Sequence, residues 1–299
     1  MALGVFDGVH RGHRKILQAA VHKARSVKGT AMVVTFWPDP HREKSLYSLE
    51  HRLRLIESMG IDICIVIKFN RQFSRILAED FIKYTLIKKI GARYIYVGRN
   101  FRFGRGAKGN FLLLESLSYI YNYRLKIFAV VKIDNKPISS TYIRKLITKG
   151  NLDAAARLLA RPVSVLGTVI KGTTLGRKLG FPTANINQHH EVLPPSGVYA
   201  VKIILNQRNL KGLCYIGTKP TFLPRRILKR DSKKHVEAYI FNFKKNIYAK
   251  FLEIQFFKKI REEKRFASSQ FLVKQIKKDI MLARRLFFLP ISYHKICPS

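Results

Sequence analysis

The sequence predicts an α/β domain followed by a mainly β domain. Its 299 residues are enough for two domains, since a domain usually contains ~100–200 residues. Apolar runs alternate with helical segments in the first half, whereas candidate strands follow one another directly in the second half. With 47% hydrophobic residues, each half has enough apolar side chains to form its own core.

The first half has the pattern of a parallel sheet. It contains four continuous apolar runs, typical of strands buried on both faces, at 31–36, 63–69, 94–98 and 127–131. Helical segments separate these runs; the first has apolar residues at helical spacing over 16–24, and the others, 48–60 and 79–91, end in glycine, a common helix stop. Because strands alternate with helices, we expect a parallel sheet with helices on both faces.

The second half changes character near Arg161 and Pro162. Five candidate strands follow, at 163–172, 197–205, 211–217, 235–243 and 248–257. Short turns separate several of them, which indicates an antiparallel barrel or sandwich, and an amphipathic helix follows over 268–286. We place the first domain at 1–150, a linker at 151–161, the second domain at 162–288 and a tail at 289–299.

The net charge of +39 indicates attraction to polyanions such as RNA, DNA, nucleotides and anionic lipid. The basic residues are spread along the whole chain, which is typical of a basic, solvated surface. The sequence contains none of the usual nucleic-acid-binding motifs. We therefore expect weak, non-specific association with polyanions and no specific nucleic-acid partner.

The three cysteines, at Cys64, Cys214 and Cys297, form no CxxC pair. This pattern argues against a disulfide framework or a zinc knuckle and favours a reducing, cytoplasmic location. No apolar stretch approaches the ~20 residues of a membrane-spanning helix, and we find no secretory signal. We therefore expect no membrane partner.

The segment GVFDGVHRGH, at 4–13, combines three glycines, an aspartate and two histidines where a short apolar run meets a helix. A glycine-rich turn at the carboxyl end of a strand lets the backbone approach a phosphate, and the next helix directs free N–H groups towards it. His10 and His13 are three residues apart and share one helix face. We interpret the segment as a phosphate-binding turn; the alternative is a glycine turn with exposed histidines.

This segment resembles the HxGH signature of nucleotidylyltransferases. Its wider form, GxFDGxHxGH, resembles the FAD synthetase half of the bacterial bifunctional riboflavin kinase/FMN adenylyltransferases. Further segments that resemble this half are TFWPDP at 35–40, VGRNFRFGRGAKGN at 97–110 and ISSTYIR at 138–144. Segments that resemble the riboflavin kinase half are GTVIKGTTLGRKLGFPTANI at 167–186, PPSGVYAV at 194–201, IGTKPTF at 216–222, VEAYIFNF at 236–243 and IREEKRF at 260–266.

The resemblance implies a Rossmann-like nucleotidylyltransferase domain that transfers AMP from ATP to FMN and releases pyrophosphate. The phosphate of FMN is already an anionic nucleophile, so catalysis there needs alignment and charge stabilisation. The residues implied to be catalytic are His10, His13 and Arg144. Those implied to bind ATP or its phosphates are Gly4, Phe6, Asp7, Gly8, Gly12, Ser139, Ser140 and Thr141. Those implied to contact the flavin are Pro38, Pro40, Asn100 and Phe101.

The resemblance also implies an antiparallel β-barrel riboflavin kinase domain with a C-terminal helix. A neutral hydroxyl of riboflavin needs a general base, and Glu237 matches the catalytic glutamate of the family. Thr183 and Asn185 match residues that hold Mg²⁺ and the phosphates of ATP, and Arg261 resembles the arginine of a mobile loop on the flavin side. The glycines implied to cover the nucleotide are Gly172, Gly176 and Gly180. Riboflavin, FMN and ATP are thus the expected substrates and Mg²⁺ the expected cofactor.

The chain departs from the family pattern at several positions. Asp39 and Tyr239 replace histidines, Tyr215 replaces an asparagine, and Arg99 and Asn100 stand where acidic residues are common. We expect these changes to affect substrate affinity rather than the class of reaction.

Two alternatives stay open. An RNA-binding protein with the enzyme fold would explain the charge and the cluster Arg99, Arg102 and Arg105. The second alternative is an enzyme in which only one of the two domains is active. The glutamate base and the magnesium ligands favour the bifunctional enzyme over the RNA-binding protein.

Only three residues precede Gly4, whereas a strand usually has ~5–6 residues. From this we expect either a native chain that starts upstream or an adenylyltransferase activity weaker than the kinase activity.

Overall fold

The computed structural model describes residues 1–40, 45–172, 175–218 and 234–288 of the chain. The chain divides into two compact units. The first unit comprises Met1–Leu146, Asp153–Arg161 and His190–Val192, and the second comprises Ile147–Leu152, Pro162–His189 and Leu193–Ser299. Most of the predicted linker, residues 153–161, therefore belongs to the first unit. The tail from 289, Thr173 and Thr174, and the last four residues of the IGTKPTF segment lie outside the described residues.

The first unit is an α/β fold. Its strands are β1 Ala2–Leu3, β2 Met32–Trp37, β3 Ile63–Lys68, β4 Tyr94–Gly98 and β5 Arg124–Phe128, with a small hairpin of β6 Lys132–Ile133 and β7 Lys136–Pro137. Its helices are α1 Arg11–Ser26, α2 Leu49–Glu57, α3 Ala78–Asp80, which continues as a wider helix over Phe81–Lys89, and α4 Phe111–Ile120. Helices α5 Ser140–Thr148 and α6 Leu152–Leu159 follow.

The sheet of the first unit is parallel, with the strand order β3-β2-β1-β4-β5. The short strand β1 is at its centre, between β2 and β4. Ala2 packs with Leu17 of α1 on one face, whereas Leu3 packs with Phe81 on the other. Helices thus cover both faces, which confirms the predicted doubly covered parallel sheet.

One predicted strand is displaced. The apolar run at 127–131 predicted a strand there, but β5 spans Arg124–Phe128. Its partner β4 ends at Gly98, which pairs with Phe128, so residues 129–131 have no neighbouring strand to continue the ladder. They line a cavity instead.

The second unit is a closed antiparallel barrel. Its strands are β8 Ser164–Ile170, β9 Ala184–Asn187, β10 Gly197–Leu205, β11 Arg208–Gly217, β12 His235–Ile240 and β13 Phe251–Arg261. They pair in the order β10-β11-β12-β9-β8-β13, and β13 pairs with β10 to close the barrel. A short helix α7 Leu175–Lys178 precedes β9, and helix α8 Ser269–Phe288 packs its buried Ala283 with Val198, Ala200 and Leu213.

The barrel and the C-terminal helix confirm the predicted mainly β second domain. Strand β9 was not among the predicted strands, because its sequence ANIN is short and half polar. The strand is nevertheless central to the candidate site described below, since it pairs with both β12 and β8.

We expect Leu17→Ala to destabilise the first unit by about 2–5 kcal/mol, because the Leu17 side chain is fully buried between α1 and the sheet. Trp37, the single tryptophan, belongs to the first unit, so urea unfolding followed by its fluorescence reports on that unit. Gln18→Ala, at the exposed neighbouring position on α1, is the control and should change stability by less than about 0.5 kcal/mol. Equal effects of the two substitutions would contradict the described packing.

Candidate active sites

The turn between β1 and α1 has a left-handed backbone. Phe6 has φ 53°, Gly8 has φ 79° and Val9 has φ 38°. A side chain at Gly8 would also come within 2.6 Å of the Leu46 side chain. Only glycine therefore fits at Gly8, both for its dihedral angle and for its space. The turn places His10 and His13 at the first turn of α1.

The two histidines of this turn form one unit. Their rings stack with centroids 3.6 Å apart, and His10 Nδ1 accepts a hydrogen bond from the His13 N–H at 3.3 Å. Because Nδ1 of His10 is an acceptor, a neutral His10 carries its proton on Nε2. Burial, and next the nearby Arg161, lower the pKa of His10 to about 4. Burial also lowers the pKa of His13 well below its ordinary value, so both rings are neutral at pH 7.

The buried carboxylate of Asp7 stabilises the turn. Its carboxylate accepts hydrogen bonds from the Leu46 N–H at 2.9 Å and from the Tyr47 N–H at 3.4 Å. Arg52 Nη2 and Arg144 Nη2 lie 3.7 and 3.6 Å from the same carboxylate. Burial, opposed first by Arg52, raises the pKa of Asp7. The carboxylate thus meets backbone N–H groups and arginines, which suits a role in positioning the turn and Arg144.

A buried carboxylate supports the segment that holds Asp7. Glu191 accepts hydrogen bonds from the Ser48 N–H at 2.9 Å and from the Ser48 hydroxyl at 2.7 Å. His51 Nδ1 lies 3.0 Å from the other oxygen of Glu191. These side chains are all buried. Sequence reasoning missed Glu191, because it is an isolated glutamate about 140 residues away along the chain.

A cavity of about 910 Å³ opens beside the turn. The predicted residues that line it are Gly4, Phe6, Asp7, His10, Gly12, His13, Pro40, Asn100, Phe101, Ser139, Ser140, Thr141 and Arg144. Gly8 and Pro38 are not among its lining residues. The structure therefore brings three parts of the chain to one cavity at the carboxyl ends of the strands. They are the turn and helix start at 4–13, called the HxGH turn below, the start of α5 and the loop after β4.

One wall of this cavity is aromatic. Phe36, Phe69, Phe73, Phe81, Phe101 and Phe103 line it. The rings of Phe101 and Phe103 are nearly parallel, at 15° with centroids 5.6 Å apart. Such a wall suits a flat aromatic ligand. Sequence reasoning missed the role of Phe69, Phe73 and Phe81, because they follow or belong to three separate elements and no local pattern shows that these elements meet at one wall.

The second group of predicted residues lies on the barrel. Glu237 of β12 pairs with Asn185 of β9 and with Tyr215 of β11. The Thr183 hydroxyl donates a hydrogen bond to Glu237 Oε2 at 3.2 Å. The structure therefore brings together the predicted residues Thr183, Asn185 and Glu237, on or next to neighbouring strands.

Two of the glycines that the resemblance implies to cover the nucleotide, Gly172 and Gly176, pack closely on Asn185 and Thr183. A side chain at Gly172 would lie 1.9 Å from Asn185 Nδ2, and one at Gly176 would lie 3.0 Å from Thr183 Oγ1. Gly180 adopts φ 86° with open space around it. Gly172 and Gly176 thus allow close packing against Asn185 and Thr183, whereas the positive φ of Gly180 favours glycine there.

Arg261 occupies a different setting from the one expected. The resemblance placed it on a mobile loop, but it is the last residue of β13. Its Nε donates to both oxygens of the buried Asp279 on α8, at 3.1 and 2.9 Å. The ion pair fixes the guanidinium near the end of the barrel strand. Nearby, the Tyr215 hydroxyl donates to Glu263, and the Tyr239 ring contacts Phe181.

Comparisons with known proteins agree with this two-part arrangement. Residues 1–142 match the FAD synthetase family, and residues 159–287 match the riboflavin kinase family. A bifunctional riboflavin kinase/FMN adenylyltransferase from Buchnera aphidicola subsp. Schizaphis graminum is 38% identical, over 97% of this chain and 94% of its own length. The enzyme of the same name from Escherichia coli K12 is 35% identical, over 97% and 93%.

This chain belongs to the bifunctional riboflavin kinase/FMN adenylyltransferase family. The predicted family, its enzyme class and its two activities are thereby confirmed. A crystal structure described as a macrolide-efflux protein from Streptococcus pneumoniae has the same fold, with a TM-score of 0.77 at 28% identity over 95% of this chain and 93% of that one. In the part of this family member that the structure describes, no helix is long and apolar enough to cross a membrane.

We expect the first unit of this riboflavin kinase/FMN adenylyltransferase to lose stability as the pH falls from about 6.5 towards about 4. The folded pKa of His10 is about 4, below the ordinary value of 6.5, so protonation in this window favours the unfolded state. His10→Asn keeps a hydrogen-bond acceptor at the helix N-cap but removes the titrating ring.

The variant should therefore lose about 1.4 kcal/mol less per pH unit than the parent within this window, measured by urea unfolding with Trp37 fluorescence. Parallel stability curves for the two proteins would show that His10 is not buried in its neutral form.

Proposed function

We propose that this chain makes FAD in two steps at two sites. The barrel unit transfers the γ-phosphoryl group of ATP to riboflavin and yields FMN and ADP. The α/β unit then transfers AMP from a second ATP to FMN and yields FAD and pyrophosphate. The observation that carries the proposal is the cavity where the HxGH turn, the start of α5 and an aromatic wall meet. It offers hydrogen-bond donors for the phosphates of ATP and a flat apolar surface for the flavin of FMN.

Adenylyl transfer in the α/β unit needs no general base. A phosphate oxygen of FMN attacks the α-phosphorus of ATP, and the bond from that phosphorus to the bridging oxygen of the β-phosphate breaks. His10 and His13 donate through neutral N–H groups to the triphosphate, beside the free N–H groups at the start of α1. Neutral donors suffice because the task is to stabilise charge that spreads over phosphate oxygens. Arg144, which Asp7 orients, completes the set with a planar fork of N–H donors.

The start of α5 forms the second phosphate-binding element. Ser139 Oγ accepts a hydrogen bond from the Tyr142 N–H at 3.2 Å and caps the helix. The Ser140 hydroxyl donates to the Asp7 carbonyl at 2.9 Å, which joins this helix to the HxGH turn. Thr141 lines the cavity beside them. Gly4, Phe6, Gly8 and Gly12 shape the turn so that the nucleotide can approach its backbone.

The flavin of FMN binds against the aromatic wall. Phe101 and its neighbour Asn100 come from the loop after β4, and Pro40 comes from the segment after β2. Stacking on these rings and apolar contact orient the isoalloxazine, while its phosphate extends towards the HxGH turn. Pro38 does not line the cavity, so we assign it a structural role in directing the chain after β2 rather than a contact with the flavin.

Phosphoryl transfer in the barrel unit needs a general base, because the nucleophile is a neutral hydroxyl. Glu237 accepts the proton of the terminal hydroxyl of riboflavin as its oxygen attacks the γ-phosphorus and ADP leaves. The hydrogen bond from Thr183 holds the Glu237 carboxylate in place. Gly172, Gly176 and Gly180 belong to the segment that covers the nucleotide. Arg261, fixed by Asp279, supplies positive charge at the end of β13.

Magnesium fits this donor set. The Thr183 hydroxyl and the Asn185 amide are hard oxygen ligands of the kind Mg²⁺ prefers, and phosphate oxygens of ATP supply further ligands. Among the described residues, no three His, Cys, Asp or Glu side chains gather into a metal site. Bound Mg²⁺ would neutralise phosphate charge. The partners of the chain are then small molecules, and its +39 charge adds weak, salt-sensitive binding to polyanions.

His13→Ala should stop FAD formation and spare FMN formation. Loss of one donor to a charged transition state typically lowers the rate ~10²–10³-fold. Products formed from riboflavin, ATP and Mg²⁺ are separated by chromatography. His22→Ala, at an exposed position on the same helix, is the control and should leave both products unchanged. A folded His13→Ala protein that makes neither product would refute two separate sites.

Glu237→Gln should slow riboflavin phosphorylation ~10²–10⁴-fold, because the amide keeps the shape but cannot accept the proton. FMN supplied directly should still become FAD. The control is Glu253→Gln, which makes the same change on β13 outside the proposed site. An unchanged phosphorylation rate would remove Glu237 from the mechanism.

A further inference from the structure

Arg161 lies in the region that matches the riboflavin kinase family, yet its side chain contacts the HxGH turn of the first unit. Its Nη2 donates to the Gly8 carbonyl at 2.5 Å, and its Nη1 donates to the Val9 carbonyl at 2.9 Å. Nη1 also donates to the Leu159 carbonyl at 3.2 Å, at the end of α6. The guanidinium therefore bridges α6 and the two left-handed residues that precede His10.

These hydrogen bonds have an energetic reason. Gly8 and Val9 both have positive φ angles, and for Val9 this conformation is strained. Such a backbone persists only where its surroundings hold it. The Asp7 carboxylate is held by the Leu46 and Tyr47 N–H groups, whereas the carbonyls of Gly8 and Val9 are held by Arg161. The guanidinium also lies over the ring of Tyr47, 5.2 Å from its centroid, so it packs against the residue whose N–H group holds Asp7.

We propose that Arg161 is a positioning residue for adenylyl transfer, which fixes the HxGH turn so that His10 and His13 point their N–H groups at the triphosphate. The proposal rests on the function assigned above to the α/β unit. Arg161 does not line the cavity, so it acts through the turn and not on the substrate. The adenylyltransferase site therefore depends on a residue outside the segment that matches the FAD synthetase family.

Loss of this support should lower kcat for FAD formation more than it raises KM for ATP. The N–H groups of α1 and the arginine Arg144 can still bind the triphosphate, but the imidazoles are no longer aligned with the transition state. A misplacement of about 1 Å in such a site lowers the rate by about 10²-fold. The proposal predicts a fall of between about 10-fold and 100-fold in kcat.

Three full-length variants test this. Arg161→Gln removes the charge and the fork, and Arg161→Lys keeps the charge but cannot donate to both carbonyls in the same way. The control is Arg157→Gln on α6, where the exposed side chain forms an ion pair with Asp134. For each protein, FAD formation is measured from FMN and ATP, and FMN formation from riboflavin and ATP, with Trp37 fluorescence as the check of folding.

The histidine pKa values give a second readout, obtained by NMR titration of the imidazoles. Burial is the main cause of their low pKa values, and Arg161 and Arg52 are the cations that face them from other elements. Arg161→Gln should lower kcat and raise the pKa of His10, whereas Arg161→Lys should lower kcat and leave this pKa low. Arg157→Gln should change neither.

The proposal is overturned if folded Arg161→Gln and Arg161→Lys proteins both form FAD at the parental kcat, or if they lose FAD and FMN formation in equal proportion. If Arg161→Gln does not fold, Arg161→Lys alone decides by the same criteria. A parent protein that forms no FAD from FMN would instead refute the function proposed for the α/β unit. The histidine titrations would then still show whether Arg161 faces the two rings.

Discussion

The left-handed turn between β1 and α1 is the constraint on which the proposed adenylyltransferase site depends. Its backbone places two histidines at a helix N-terminus. The positive φ angles at Phe6, Gly8 and Val9 persist only where contacts from other segments stabilise them. Segments far apart in the chain supply the support: the N–H groups of 46–47, the hydroxyl of Ser140 and the guanidinium of Arg161. The geometry of the proposed adenylyltransferase site is therefore set by contacts between distant segments of the chain.

The barrel uses a different means to position its groups. Glu237 lies on a paired strand, with Asn185 and Tyr215 opposite it on the neighbouring strands, so the ladder itself sets their spacing. Gly172 and Gly176 pack closely on Asn185 and Thr183, and the ion pair of Arg261 with Asp279 joins α8 to the end of β13. Phosphoryl transfer to a neutral hydroxyl needs such a fixed carboxylate, whereas adenylyl transfer to an anionic phosphate needs aligned donors.

Much of this organisation could be predicted from the sequence. Continuous apolar runs identify the buried parallel strands, and the spacing of His10 and His13 after a glycine turn predicts a phosphate site. The rest could not, because it depends on contacts without a local pattern. Phe69, Phe73 and Phe81 reach one wall from different segments. Arg161 acts about 150 residues from the turn it contacts, and Glu191 acts about 140 residues from Ser48 and His51. Arg261 is fixed by an aspartate on another element.

The most direct test of this account observes the two histidines of the full chain by long-range ¹H–¹⁵N NMR at pH 7, with and without α,β-methylene-ATP. The account predicts that His10 and His13 are neutral with the proton of His10 on Nε2, and that the signals of both rings shift when the nucleotide binds, while those of the exposed His22 do not. Cationic imidazoles in the free protein, or unshifted signals at saturating nucleotide, would contradict it.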